Sequence, residues 1–505
     1  MLDVKAVVIG AGLGGLSAAA HLARAGIDVT VLEHHSVPGG YAHEFKRGDF
    51  RFDVALHALD GAGPGGWLYP ILDELGIDLA MTRLDPLYRA RYPDIDILVP
   101  ADLTEYRAQL ESLFPLEREG IRSLIGALRR VSHDVGLYTV DRRQGTRPAP
   151  SEIPARYPAM ANAFSRTWSE LLGSHIGDAR LRALFSTLWG YLGLPPSRVS
   201  AGLFALAWTS YHVGGGYYPA GGSQALSRAF ADVVTRHAGE ILYRQTVNGI
   251  TVRDGTAVAV TTERGLTVDA DVVISNASPV DTMRFLGTDT LPDHYVERRR
   301  ADVPSLSTLV LYLGLDRDIG AEGWKGHEVF VSDTFDTDAD YKAAISGDFA
   351  NASMVIADYT HTDPGCAPAG KSALVILTLA PWGYADTWGT HGDLDGYRRN
   401  PRYRALKGAA GQTLLRRAER LIPGLQDSIE VMEVATPLTN HRYGLATHGS
   451  IYGREQTVDN LLVRISPKMP IPNVFLAGAW VGGGGMSAAI GSGRTAAKIV
   501  LSRFG

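Results

Sequence analysis

One cysteine, Cys366, stands among 505 residues. An internal disulfide is therefore excluded, and the lone thiol fits a reducing, cytoplasmic setting. It lies in a proline- and glycine-bearing stretch, as an incidental thiol does rather than a nucleophile. No Cys/His spacing suited to a metal is present, so no metal centre is expected. Positive charge is not in surplus either. The 49 Lys and Arg against 54 Asp and Glu leave a net charge of −5, without the clustered basic face of a nucleic-acid binder. Long apolar runs are also missing. Ala201–Trp208 falls far short of the roughly 18 residues that span a bilayer. The stretch 6–25 is interrupted by four glycines, His21 and Arg24, and reads as the first unit of a fold rather than a signal peptide. No fixed-period repeat is visible. Peripheral membrane contact and oligomeric state stay open.

What the chain has in plenty is glycine, 57 residues of it, and the first cluster is organised. Ala6–Ile9 reads as a buried strand, followed by Gly10, Gly12 and Gly15 in G-x-G-x-x-G spacing. The first glycine allows a tight turn, the second a close backbone approach to a pyrophosphate, and the third close helix–strand packing. A helix follows with Ala18, Ala19, Leu22 and Ala23 on one face, ending near Gly26. Asp28–Leu32 is a second strand, and Glu33 lies 18 residues past Gly15, where a carboxylate accepts a ribose hydroxyl. Phosphates would sit at the helix N-terminus, where free N–H groups and the dipole favour anions. This stretch alone allows FAD or NAD. Gly39-Gly40, shortly after the second strand, tilts the reading toward FAD, because a simple NAD-binding domain has no need of the pair.

Phe50–Asp53 reads as a strand, and His43 and His57 lie in the surrounding segment, where either could face a flavin ring. Residues 67–75 suggest a helix and 87–99 strands. Residues 102–131 carry two helical stripes interrupted by Pro115, and 141–154 looks like a charged, proline-rich surface loop. Residues 160–192 are helical again, so 100–210 reads as a helical insertion burying large apolar groups. A second glycine turn, Tyr217–Ser223, precedes a helix over 224–237. Ala270–Ala277 holds a short strand that returns to the first sheet. Strands at 309–315, 328–332, 353–358 and 373–379 predict a mixed sheet. Pro401–Leu421 is a helix capped by Asn400, its arginines on a solvated face, and 436–453 is a polar loop. The chain then repeats its opening logic: a strand at 474–477, a loop over 478–485 and a helix from Met486. Such a helix N-terminus can meet the flavin edge where charge gathers on reduction. Four consecutive glycines imply a close approach, since they cost conformational entropy.

The fold class is α/β: a Rossmann-type FAD-binding domain of the two-dinucleotide-binding kind, with a mixed-sheet substrate domain and a helical insertion. The expected division is a discontinuous FAD-binding domain over 1–85, 217–285 and 440–505, a helical insertion with substrate-side strands over 86–216, and a mixed α/β substrate domain over 286–439.

With both terminal motifs in view, the chain resembles the FAD-dependent phytoene desaturase, carotenoid isomerase and retinol saturase superfamily. The matching stretches are Val7–Glu33, GGYAHEF with FRFDVALHALDG (39–61), LFPLEREGI (113–121), YYPAGGSQAL (217–226) and VVISNASP (272–279). DPGCAPAGK (363–371), TPLTNHRYGLATHGSIYG (436–453) and LAGAWVGGGGMSAAIGSGRTAA (476–497) complete them. The resemblance implies Gly10, Gly12, Gly14 and Gly15 at the pyrophosphate, Glu33 at the adenosine ribose, and Gly39 and Gly40 near the ribityl chain. It implies Val247 at the adenine through its backbone, and Asn276, Gly478, Ala479, Gly484, Gly485 and Met486 along the phosphates, ribityl and ring. Many relatives carry Asp or Glu after the last strand's glycine. Here Ala479 and Trp480 follow, so backbone groups must serve. Tyr41 after Gly39-Gly40, in place of the arginine of amine oxidases, weighs against an amine substrate.

The resemblance implies a hydrophobic polyene or isoprenoid-like substrate, with a C–C unit held for hydride exchange in a dry pocket. Desaturation, saturation and redox-neutral isomerisation share this scaffold. His57, Tyr211, His212, Tyr217 and His441 are the titratable candidates, with His57 and Tyr217 expected to be catalytic and His57 the proton donor or acceptor. Two rival readings are a flavin amine or amino-acid oxidase using O2 and a non-catalytic prenyl-lipid carrier.

Overall fold

The computed structural model describes residues 4–146 and 148–504. Five parallel strands form the sheet that the first glycine turn belongs to. Their order is Glu240–Leu242, Asp28–Leu32, Lys5–Ile9, Val272–Ser275 and Val474–Leu476. Their central residues are almost wholly apolar because both faces are covered, one by helices and the other by the antiparallel sheet of Val247–Arg253, Thr256–Thr262 and Thr267–Asp269. Val8, Val31 and Ile274 are sealed from solvent.

The first helix, Leu13–Arg24, buries every residue but its last. It packs along the last helix, Met486–Phe504, and glycines set the spacing. A Cβ on Gly493 would stand 2.1 Å from the Gly14 carbonyl oxygen, and one on Gly15 would stand 2.0 Å from that of Gly10. Both N-termini therefore reach the C-terminal edge of the sheet together.

A seven-stranded mixed sheet forms the second layer, with the nine-residue strands Ser307–Leu315 and Ser372–Ala380 paired along their whole length. Strand alternation divides its faces. Leu309, Leu311 and Leu313 pack toward the helix Pro401–Glu419, whereas Val310 and Tyr312 join Phe50 and Phe52 in the core around the first sheet. The hairpin Tyr88–Arg91/Asp96–Val99 extends the mixed sheet and carries the helical layer. In that layer Trp168 stacks on Phe204 at 4.3 Å, and Trp208 on His212 at 4.1 Å.

Several local expectations hold. Pro115 opens a 3-10 turn between Leu103–Leu113 and Arg118–Arg143. Asn400 caps its helix by accepting from the Arg402 and Tyr403 amides at 2.9 and 3.3 Å. Others need correction. The expected loop over 141–154 begins inside the helix that runs to Arg143 and holds a further turn at Pro150–Glu152. The expected loop over 436–453 contains the helix Pro437–Gly444. Thr436 and Thr439 form its capping box and Pro437 fills the first position, a signal present in the sequence as TPLT. The stretch 478–485 includes one helical turn, Ala479–Gly482.

The arginines of Pro401–Glu419 are not all solvated. Arg417 is 4% exposed; it donates to the Phe349 and Ala352 carbonyls and, at 3.0 Å, to Asp333. Arg417→Ala strips two buried carbonyls of their donor, so we expect a loss of about 3 kcal/mol in urea-unfolding free energy. A loss under about 0.5 kcal/mol would contradict this account.

Candidate functional site

A cavity of about 2580 Å3 runs between the two layers. This exceeds the roughly 300–1,000 Å3 of a drug-sized site and leaves room for a dinucleotide and a second long ligand. Its polar end is built from the first glycine turn. Gly10, Gly12, Gly14, Glu33, Gly39, Gly40, Val247 and Asn276 all line it. Gly12 precedes the first helix and offers no side-chain cap, so the helix's free N–H groups point to this end. Gly15 lies outside the wall, where its missing side chain serves helix–strand packing.

Glu33 accepts from the Ala11 and His35 amides, each at 2.6 Å. Burial pushes its carboxyl up while these donors pull it down. Gly39 and Gly40 take φ of +127° and +61°, a region costly for other residues, and the Gly39 amide donates to the Ala11 carbonyl at 2.7 Å. The side-chain amide of Asn276 occupies the hollow left by three glycines. A Cβ on Gly12, Gly14 or Gly478 would come within 2.6 Å of it. The motif glycines thus make room for a protein amide as well as for any phosphate.

Gly478, Ala479, Gly484, Gly485 and Met486 line the same cavity further along. Gly478 has φ +94°, and its amide donates to Ser492 Oγ at 2.7 Å. Tyr452 packs under Gly484, where a Cβ would stand 2.5 Å from its own. Beyond this loop the wall turns apolar, with Leu203, Leu206, Phe330, Leu377 and Leu379 drawn from the helical layer and the mixed sheet.

The sequence-derived acid–base candidates separate. His57 lines the cavity, but its Nδ1 is bonded to the Tyr359 hydroxyl at 2.8 Å and its carbonyl accepts from His327 Nε2 at 2.8 Å. Burial, reinforced by neighbouring His327, pushes it down to about 3. It is uncharged at neutral pH, so in the expected role of proton donor or acceptor it would enter as the neutral imidazole. Tyr217 stands apart from these. It is absent from the wall, and its hydroxyl fills the space over Gly63, 2.0 Å from where a Cβ would be. His43 also lies outside the wall, with Nδ1 on the Gly40 carbonyl. His212 is buried against Trp208 and Tyr88. Tyr211 and His441 do line the cavity; the Tyr211 hydroxyl donates to the Ala58 carbonyl at 3.1 Å.

Sequence reasoning missed Tyr191, Tyr452 and Glu328. Tyr191 and Tyr452 line the cavity, and the Tyr191 hydroxyl meets Glu328 Oε2 at 2.5 Å. Glu328 is 2% exposed, and burial raises it to about 8. At the head of the short strand Glu328–Val331 it reads as an ordinary edge charge, and no local pattern marks it. Among the described residues no cluster of His, Cys, Asp and Glu could hold a metal.

Comparisons with known proteins agree with this geometry. The family described as "Flavin containing amine oxidoreductase" matches residues 13–386. An all-trans-retinol 13,14-reductase of Danio rerio is 26% identical, over 99% of this chain and 86% of its own. A phytoene dehydrogenase of Streptomyces griseus is 32% identical, over 86% of this chain and 82% of its own. A solved oxidoreductase from Methanosarcina mazei shares the fold, with TM-score 0.64 at 19% identity, over 99% of this chain and all of that one. The cofactor is FAD, and the glycine cradles of the first turn and the C-terminal loop, which meet at Asn276, are of the kind that admits it. The chain belongs to the flavin containing amine oxidoreductase family and is an FAD-dependent oxidoreductase.

Proposed function

We propose that the enzyme acts on C–C bonds of a hydrophobic polyene or isoprenoid-like substrate, by desaturation, saturation or redox-neutral isomerisation. The single observation that carries this is the continuation of the cofactor cavity, past Gly484–Met486, into an apolar compartment walled by Leu203, Leu206, Phe330, Leu377 and Leu379. The names of the two relatives, a retinol reductase and a phytoene dehydrogenase, support the substrate class from opposite reaction directions.

In this reading Gly10, Gly12, Gly14 and the first helix N-terminus hold the pyrophosphate, and Glu33 accepts the ribose hydroxyls through its free lone pairs. Gly39, Gly40 and Asn276 border the ribityl chain and phosphates, and Val247 the adenine. Gly478, beside Gly14, and Ala479, Gly484, Gly485 and Met486 follow the phosphates and ribityl chain to the ring. Bound FAD supplies hydride exchange at its ring nitrogen. The protein's own work is alignment and exclusion of water: the leucines and Phe330 favour an extended apolar chain beside the C-terminal loop. Trp67, Val140 and Val213 line the cavity while being 45%, 45% and 51% exposed, which marks an opening with an apolar rim and supports peripheral membrane contact. No helix among the described residues is long and apolar enough to cross a membrane.

The test is anaerobic mixing of the flavoprotein with all-trans-retinol, a carotene and a primary amine. Absorbance reports flavin oxidation or reduction, and aerobic peroxide is measured in parallel. We expect the flavin to respond to a polyene and not to the amine, with little peroxide. Reduction by the amine alone would establish the oxidase reading instead. Protein that takes up no flavin would favour the lipid carrier.

A further inference from the structure

The proposed chemistry needs a group that gives a proton to carbon or takes one from it, and burial leaves His57 without a charged form to donate from at neutral pH. A second acid stands behind the cavity wall. Glu328 lies on the strand Glu328–Val331, whose Phe330 faces the cavity. Its Oε2 is 2.5 Å from the Tyr191 hydroxyl, and its Oε1 is buried with no hydrogen-bond partner. Phenols crowd around Glu328, Tyr88, Tyr191, Tyr211, Tyr359 and Tyr452, and His327 precedes it in the chain. Among the described residues no Lys or Arg is paired with it.

An unpaired carboxylate in such a place is costly, so the acid stays protonated at neutral pH. The orphaned Oε1 then decides where the proton sits. A proton on Oε1 would have no acceptor, whereas a proton on Oε2 has the Tyr191 oxygen. That leaves the Tyr191 O–H free to turn into the cavity it lines. Tyr191 also adjoins the cofactor end. Its ring is 5.6 Å from that of Tyr211, and Tyr452, close enough to perturb its titration, packs under Gly484.

We propose that Tyr191 is the proton donor at the cavity wall and that Glu328 acts through it, replacing the proton Tyr191 gives up. The inference rests on the C–C redox reading above. In the saturating direction one alkene carbon takes a hydride, with its two electrons, from the reduced flavin, which is left oxidised. The electron pair left on the adjacent carbon forms a C–H bond with the Tyr191 proton as its O–H bond breaks. The Glu328 proton moves onto the Tyr191 oxygen and leaves a carboxylate. That carboxylate recovers its proton through Tyr191 when product leaves and water enters. Desaturation runs the same transfers in reverse.

Infrared difference spectroscopy of the FAD-loaded protein should show a protonated carboxyl at neutral pH that ionises as pH rises through about 8 and is missing from Glu328→Gln. With the polyene that wild type turns over, Tyr191→Phe should keep its flavin and KM while kcat falls about 100-fold. Wild-type kcat for saturation should decline above about 8, and Glu328→Gln should abolish that limb. A carboxyl already ionised at neutral pH, or full kcat in Tyr191→Phe, overturns the pair and leaves the C–C redox reading standing. If wild type turns over no polyene at all, that reading falls and the pair falls with it.

Discussion

Gly493→Ala is expected to destabilise the protein by about 2–3 kcal/mol and to empty it of flavin. The new Cβ would stand 2.1 Å from the Gly14 carbonyl oxygen and 2.8 Å from Ser17 Cβ. The first contact is backbone in the first turn of a buried helix and has no rotamer to give, so the two helices must separate. One helix begins at the first glycine turn and the other at the C-terminal glycine loop. Separating them moves both walls of the cofactor cavity at once. Gly408→Ala is the control, because nothing lies within 4 Å of a Cβ there and the position is inside a helix. It should be neutral or stabilising by up to about 1 kcal/mol. Thermal unfolding and the flavin absorbance per protein check both variants. A Gly493→Ala protein with wild-type flavin content would refute the close-crossing argument.

Stability should peak on the mildly acidic side and fall toward both extremes. Burial lowers His57 to about 3 and His327, His212 and His35 to about 4. Between those values and the ordinary histidine range the unfolded chain holds more protons than the folded one, so stability rises with pH there. Burial raises Glu328 to about 8, Asp340 to about 7 and Asp53 to about 6. From the ordinary carboxylate range up to those values the folded chain holds more protons, so stability falls as pH rises. The two sets oppose each other over the middle window. Above the histidine range only the acids remain, and Glu328 alone contributes a loss of about 2 kcal/mol by the time its own value is reached. Urea midpoints across this range test the curve. Glu328→Gln should flatten its alkaline side. A wild-type stability that rises through the neutral range would show that these acids are already ionised in the fold.

Local chemistry made much of the architecture legible. Glycines at 10, 12 and 15 with an apolar run before and a carboxylate after can be read as strand, turn, helix and strand, because each requirement is met by neighbours in sequence. The same holds for Pro115 and for Asn400, whose effects act within one turn. TPLT is equally local, a capping box set among polar neighbours that read as loop. Arg417 was not legible. Its place among charged residues looks solvated, and only the chain at Phe349 and Ala352 buries it.

The active-site chemistry divides the same way. The sequence by itself determined the cofactor's class and marked the glycine turns that line the cavity, since glycine turns and helix N-termini are short-range devices. It also ruled out a disulfide and any apolar run long enough to span a bilayer. The tertiary structure alone decided which acids and phenols face the cavity. Burial sets the protonation of His57 and Glu328, and burial comes from segments hundreds of residues apart in the chain. It withdrew Tyr217 to the space over Gly63 and neutralised His57. It brought Tyr191 from the helical layer onto Glu328 from the mixed sheet, a pairing that exists only because the two layers close over one cavity.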